Sequence, residues 1–205
     1  MERRNFLQSA GLATALGFVL NPGIAGANKL FNEAGDPIPF LLPPMAPLDH
    51  KGGMDIRVWV RSKATGGVFS SVECAVAPRV MGPPPHAHVE LDELMFVLEG
   101  TASVLVGTEV VEVPAGGWHF RPRQLKHTFW NASDQPLRFF DMYFNQPFEE
   151  FLERIFHELT PENGYLDGSA KLNQERDRMN KQFGLIYTPT AGAERQAIVE
   201  KYGLK

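Results

Sequence analysis

The chain has 205 residues, 43% hydrophobic and 21% charged, with a formal net charge of −4. That is enough chain and enough apolar side chain for one good core. A mildly acidic balance without a basic stripe excludes nucleic acid and anionic membrane surfaces as natural partners. No apolar run reaches the roughly 18 residues a spanning helix needs, so no membrane span is expected in the mature chain.

Residues 1–27 read as a secretory signal peptide and not as fold. Glu2-Arg3-Arg4-Asn5-Phe6-Leu7 opens it, a short apolar stretch runs from Ala10 to Leu20, and Ala25-Gly26-Ala27 is a small-x-small site for cleavage after Ala27. Arg3-Arg4-x-Phe6-Leu7 resembles the twin-arginine export motif, which implies a bacterial protein that is periplasmic or otherwise exported. Residues 28–53 are rich in Pro and Gly and predict an extended arm, with His50 solvated.

Residues 54–147 read as short strands. Ile56, Val58 and Val60 alternate with Arg57, Trp59 and Arg61, and Val68 to Ala77 is a second run holding the single cysteine, Cys74, as buried strand filler. Ala102 to Val106 and Val110 to Val113 flank Gly107-Thr108-Glu109 and predict a hairpin. Ser133-Asp134-Gln135-Pro136 is a turn before a last strand, Leu137 to Phe144. Seven or eight such strands predict one all-β sandwich or barrel. From 148 to 205 the pattern turns helical. Phe148, Phe151, Leu152, Ile155, Phe156 and Leu159 recur at helical spacing, with His157 on the polar side. Two further helices are expected, over about Ser169 to Phe183 and about Ala193 to Tyr202, each stopped by a glycine.

Chemistry concentrates in two stretches. In the first, three prolines hold the chain extended before His86-Ala87-His88. Residues two apart on a strand face the same way, so His86 and His88 can share one cavity. Glu93 follows after four residues, and Leu94 to Leu98 is an apolar run ending at Gly100. Two imidazoles and a carboxylate suit a divalent transition metal better than calcium or magnesium. A fourth ligand must come from His50, His119, His127 or His157. His127 lies in the second stretch, with Gly116 six residues before Pro122, Pro122 five before His127 and Asn131 four after it.

These stretches resemble the paired motifs of the cupin superfamily. His86, His88, Glu93 and Gly100 fit the first motif, although Gly82 is two residues closer to His86 than the usual glycine. Gly116, Pro122, His127 and Asn131 fit the second, with Gln124 where a second glycine is expected. Fifteen residues separate Gly100 from Gly116, as in small bacterial cupins. The resemblance implies a single cupin jelly-roll barrel with a C-terminal helical appendage, and a metal held by His86, His88, Glu93 and His127. Pro114-Ala115-Gly116-Gly117-Trp118-His119 mimics part of the second motif but lacks its asparagine. His119 is therefore expected on a strand, packed or exposed, with Trp118 and Phe120 on the opposite face.

Three His and one Glu leave one or two positions open on one divalent ion, whether Mn, Fe, Ni, Co, Cu or Zn. Glu93 can serve as ligand and, if it swings off, as catalytic base. Met95, Val97, Phe129 and Phe139, Met142 or Phe144 are expected inward, an apolar pocket for an aromatic small-molecule substrate. Arg57, Arg61, Arg79, Arg121 and Arg138 read as surface charge. Quercetinase-like bacterial cupins share this ligand set, which implies a dioxygenase acting on a phenolic or enolic compound. A non-redox isomerase, lyase or decarboxylase and a non-catalytic ligand-binding protein are the alternatives. The resemblance and the Pro-rich arm also raise a homodimer.

Overall fold

The computed structural model describes residues 36–205. The signal over 1–27, its cleavage point and the first part of the arm lie outside the described residues. Nine strands come first: β1 (Met54–Val60), β2 (Phe69–Val76), β3 (Ala87–His88), β4 (Asp92–Glu99), β5 (Thr101–Val106), β6 (Glu109–Pro114), β7 (Trp118–Arg121), β8 (His127–Trp130) and β9 (Leu137–Phe144). They are followed by α1 (Phe148–Glu153), α2 (Ala170–Gln182), a short β10 (Leu185–Ile186) and α3 (Ala191–Tyr202). The helices over 170–182 and 191–202 match the two expected from the sequence to within a few residues. Among the described residues no helix is long and apolar enough to cross a membrane.

One wall of the barrel is a five-stranded sheet in the order β1-β2-β9-β4-β7. The other is the three-stranded sheet β6-β5-β8. The pair β10-β3 joins that second wall, because His86 and His127 form an antiparallel bridge. All pairings are antiparallel. This is a mostly β fold of antiparallel sheets with C-terminal helices.

Alternation along the strands puts the core between the walls. On β9, Leu137, Phe139, Asp141 and Tyr143 are buried, and Glu93, Met95 and Val97 are buried on the adjoining β4. These meet Ala102, Val104 and Val113 from the facing sheet. A fully buried side chain the size of Phe139 or Met95 contributes about 1.5–3 kcal/mol. Met142 and Phe144, expected inward, share the opposite parity and face out of the barrel. On β1 the alternation breaks, since the register with β2 shifts between Val58 and Val60. That bulge turns Val60 to the outer face, where it lines a shallow cleft with Trp59, Phe96 and Trp118.

The arm lies along this outer face. Leu48 N donates to Glu73 Oε1 at 3.2 Å, Arg57 donates to Ala46 O at 2.8 Å, and Leu42 reaches the same cleft. His50 is half-buried, its Nδ1 accepting from Gly52 N at 2.9 Å. Cys74 is buried, as expected. The segment after Pro147 is helical, but α1 passes into a π-helical turn over Arg154–Glu158, with Leu159 N bonded to Arg154 O at 2.8 Å. The wider turn sends Leu152, Ile155 and Phe156 over the open end of the barrel. His157 is exposed, as its polar side implied, and its Nε2 is 3.1 Å from Asp55 Oδ1.

Candidate metal centre

Three strands, and the residue before one of them, deliver four side chains to one point. His86 precedes β3 and His88 ends it; Glu93 is the second residue of β4 and His127 the first of β8. His86 N donates to His127 O at 3.0 Å and His127 N returns a bond to His86 O at 2.8 Å. That reciprocal pair fixes the two imidazoles side by side, their centroids 4.7 Å apart. His88 stands 4.9 Å from His86 and 5.4 Å from His127, its ring braced edge-on by Phe148 at 5.0 Å. All four residues are buried, and one donor atom from each lies within 4.8 Å of the others.

The hydrogen bonds decide which nitrogens face the centre. His86 Nδ1 lies 2.9 Å from Pro84 O, and His127 Nδ1 lies 2.9 Å from Leu125 O. A carbonyl only accepts, so each Nδ1 carries the proton and each Nε2 presents a lone pair. His127 Nε2 is 3.0 Å from Glu93 Oε2, and His88 Nε2 is 3.3 Å from Glu93 Oε1. Neither Nε2 has a hydrogen-bond partner among the described residues. The His127 acceptor thus faces a carboxylate across a buried gap, with the unbonded His88 Nε2 beside it, an arrangement that a shared cation satisfies. The cluster fits one metal ion.

The sequence reading missed the next shell of this cluster. Arg121, expected at the surface, is 1% exposed. It sits directly opposite Glu93 across the β4–β7 ladder, and its Nε donates to Glu93 Oε2 at 2.8 Å. Its Nη2 donates to Asp141 Oδ2, leaving Asp141 Oδ1 buried without a hydrogen-bond partner among the described residues. Parity was the available signal. Arg121 shares a face with His119, and Asp141 is a lone acid between Phe139 and Tyr143 on an apolar strand. The other arginines do pair at the periphery: Arg57 and Arg138 with buried Glu73, Arg61 with Glu153, Arg79 with Asp134. His119 lies on β7 away from the exposed Trp118 and Phe120, as expected, and is not among the clustered residues.

These contacts set the protonation states. Burial alone would raise the Glu93 carboxyl, but the Arg121 charge and then the neighbouring His127 ring outweigh it and hold it well below the usual carboxylate range. Burial pushes Asp141 up to about 7, and Arg121 offsets only part of that. Burial, then the neighbouring His127 and His88, lowers His86 to about 3. The His86 imidazole is therefore neutral near pH 7 and ready as a ligand.

A cavity of about 380 Å³ opens over the cluster. His86, Glu93, Arg121, His127 and Asp141 line its polar end, and Phe129, Phe148, Leu152, Ile155 and Phe156 its apolar walls. Of the residues expected in the pocket, Phe129 lines it, whereas Met95, Val97 and Phe139 are buried in the core. The cover comes from the C-terminal segment, as Arg176, Asn180, Leu185 and Tyr187 also border the cavity.

Among curated proteins, no sequence matches this chain significantly. Among solved structures, similar chains include KdgF from Halomonas sp. (16% identity, 50% of this chain and 88% of that one, TM-score 0.44). They also include an RmlC-like cupin from Shewanella frigidimarina (20% identity, 50% and 85%, TM-score 0.40). A third is a predicted oxalate decarboxylase from Thermotoga maritima (16% identity, 44% and 79%, TM-score 0.42). Residues 72–143 match the Cupin domain family model, and that stretch holds His86, His88, Glu93 and His127, the buried cluster.

Proposed function

We propose that the protein is an exported metal-dependent dioxygenase acting on a small phenolic or enolic compound. The observation that supports this reading is the lone-pair cluster of His86, His88, Glu93 and His127 opening onto an apolar, aromatic-walled cavity. These four residues are the proposed ligands of one divalent ion from the set Mn, Fe, Ni, Co, Cu and Zn. A redox-active ion held there supplies the chemistry for bringing dioxygen and a chelating substrate together. Phe129, Phe148 and Phe156 exclude water from the reacting end. Glu93 acts as ligand. As a base it is weak while Arg121 holds it. Asp141, with one oxygen unbonded in the same cavity, is better placed to take the proton of a substrate hydroxyl.

A second reading is a non-redox isomerase, lyase or decarboxylase, favoured by that same Asp141 carboxyl beside a Lewis-acidic ion. Two measurements separate them. Metal per chain, by elemental mass spectrometry of protein from the native cell envelope, should give about one Mn, Fe, Ni, Co or Cu. Oxygen uptake should follow on addition of phenolics. Stoichiometric zinc with substrate loss in the absence of oxygen would instead establish the second reading. Saturable binding without turnover would reduce the protein to a binding module.

Export through the twin-arginine route belongs to the same proposal, and cell fractionation with N-terminal sequencing for an Asn28 start tests it. So does a homodimer. Trp118 and Phe120, 57% and 54% exposed on an edge strand beside the Leu42 cleft, offer an apolar face to a second copy. Sedimentation of wild type against Trp118→Glu is the check.

A further inference from the structure

The cavity is chemically polarised along its depth. Its inner end is the buried cluster with Asp141, whose Oδ1 has no hydrogen-bond partner among the described residues. Its middle is apolar. Its outer end is bordered by the second helix after the barrel, through two polar residues.

Along α2 and its C-cap, Leu172, Arg176, Met179, Asn180 and Phe183 recur at helical spacing. Leu172, Met179 and Phe183 belong to the core. Arg176, exposed, and Asn180, half-buried, lie one turn apart and border the cavity. The nearby arginines are satisfied: Arg154 and Arg178 both bind Glu175. Among the described residues, the Arg176 side chain makes no ion pair or hydrogen bond, and it acts electrostatically on Tyr187, which borders the cavity beside His86. A guanidinium without a protein partner at the mouth of an apolar-walled cavity is a receptor for an anion.

We infer that the cavity selects an anionic, hydroxylated aromatic or enolic compound. Its chelating oxygens would enter toward the cluster and Asp141, and a carboxylate or similar group on its far side would bind Arg176 with help from Asn180. This rests on the metal-chelating reading of the site given above and names the substrate class within it. Arg176 is then a specificity-determining residue supplied by the C-terminal helices and not by the barrel.

The test uses cobalt-loaded protein and three probes: 3,4-dihydroxybenzoate, its methyl ester and catechol. Each is titrated against the visible cobalt spectrum and by calorimetry. The wild type should bind the free acid about tenfold more tightly than the ester or catechol, the gain of one charge-assisted pair. Arg176→Met, at an exposed helix position that leaves the fold intact, should bring the three within about twofold while leaving the ester unchanged. Arg176→Lys should restore part of the preference. Cobalt spectra that respond to all three probes, with the acid-to-ester ratio the same in wild type and Arg176→Met, would overturn this inference alone. Spectra that respond to none would overturn the chelating reading and this inference with it.

Discussion

Arg121 Nε donates to the same Glu93 oxygen, Oε2, that faces His127 Nε2. One guanidinium therefore holds a proposed ligand from behind while its other arm holds Asp141. Removing it leaves two buried carboxylates facing each other. Arg121→Leu should cost about 3–5 kcal/mol, read from the urea midpoint. Arg121→Leu combined with Asp141→Asn should be less destabilised than Arg121→Leu alone, because one of the stranded charges is gone. Additive losses would show that the three groups are not coupled.

His86→Ala, His88→Ala and His127→Ala each delete one donor from the cluster. Each should lower affinity for Co²⁺ or Zn²⁺ by more than about a hundredfold, with folding preserved by circular dichroism. His119→Ala serves as the control and should retain about one ion per chain. A His86→Ala protein with full metal content would remove His86 from the ligand set.

Stability of the metal-free protein should depend on acid in a defined window. His86 titrates near 3 when folded, against an ordinary value of 6.5. Between those limits the unfolded chain binds the extra proton, so stability falls as pH drops from about 6.5 towards 3 and is unaffected above. The loss is a few kcal/mol, measured as chemical-denaturation midpoints in a pH series with chelator present. His86→Asn should flatten that slope.

Gln124 occupies a left-handed conformation, φ +64°, at the position where the family motif has glycine. The turn is made nonetheless, and Gln124 N still donates to His88 O at 2.8 Å. Gln124→Gly should relieve the side-chain strain and be neutral to about 1 kcal/mol stabilising. A β-branched residue there should destabilise by more than that, and both are read from thermal midpoints.

How much of this was legible in the sequence depends on range. His86, His88 and Glu93 sit within eight residues, and strand parity alone puts the two histidines on one face. The barrel and the third histidine, His127, followed from motif spacing. Arg121 and Asp141 were not found, because whether a charged strand residue points in or out depends on the register of β4 with β7 and β9. A bulge such as the one between Val58 and Val60 flips parity without any mark in composition. The cover of the cavity was hidden for a different reason. It comes from α2 and β10, which begin 39 and 54 residues beyond Asn131, and no local pattern states where an appended helix will dock.

β10 is hydrogen-bonded to β3, Leu185 opposite His88 and Ile186 opposite Ala87, and Val89 N donates to Gly184 O at 2.9 Å. The roof of the cavity and the rail that carries two of the histidines are thus one continuous piece of backbone ladder. Lifting the roof from that side pulls on His86 and His88. Admission of a bulky guest and the grip on the ion are mechanically tied, so a guest that wedges this edge open also loosens the ion, and one that enters past α1 does not.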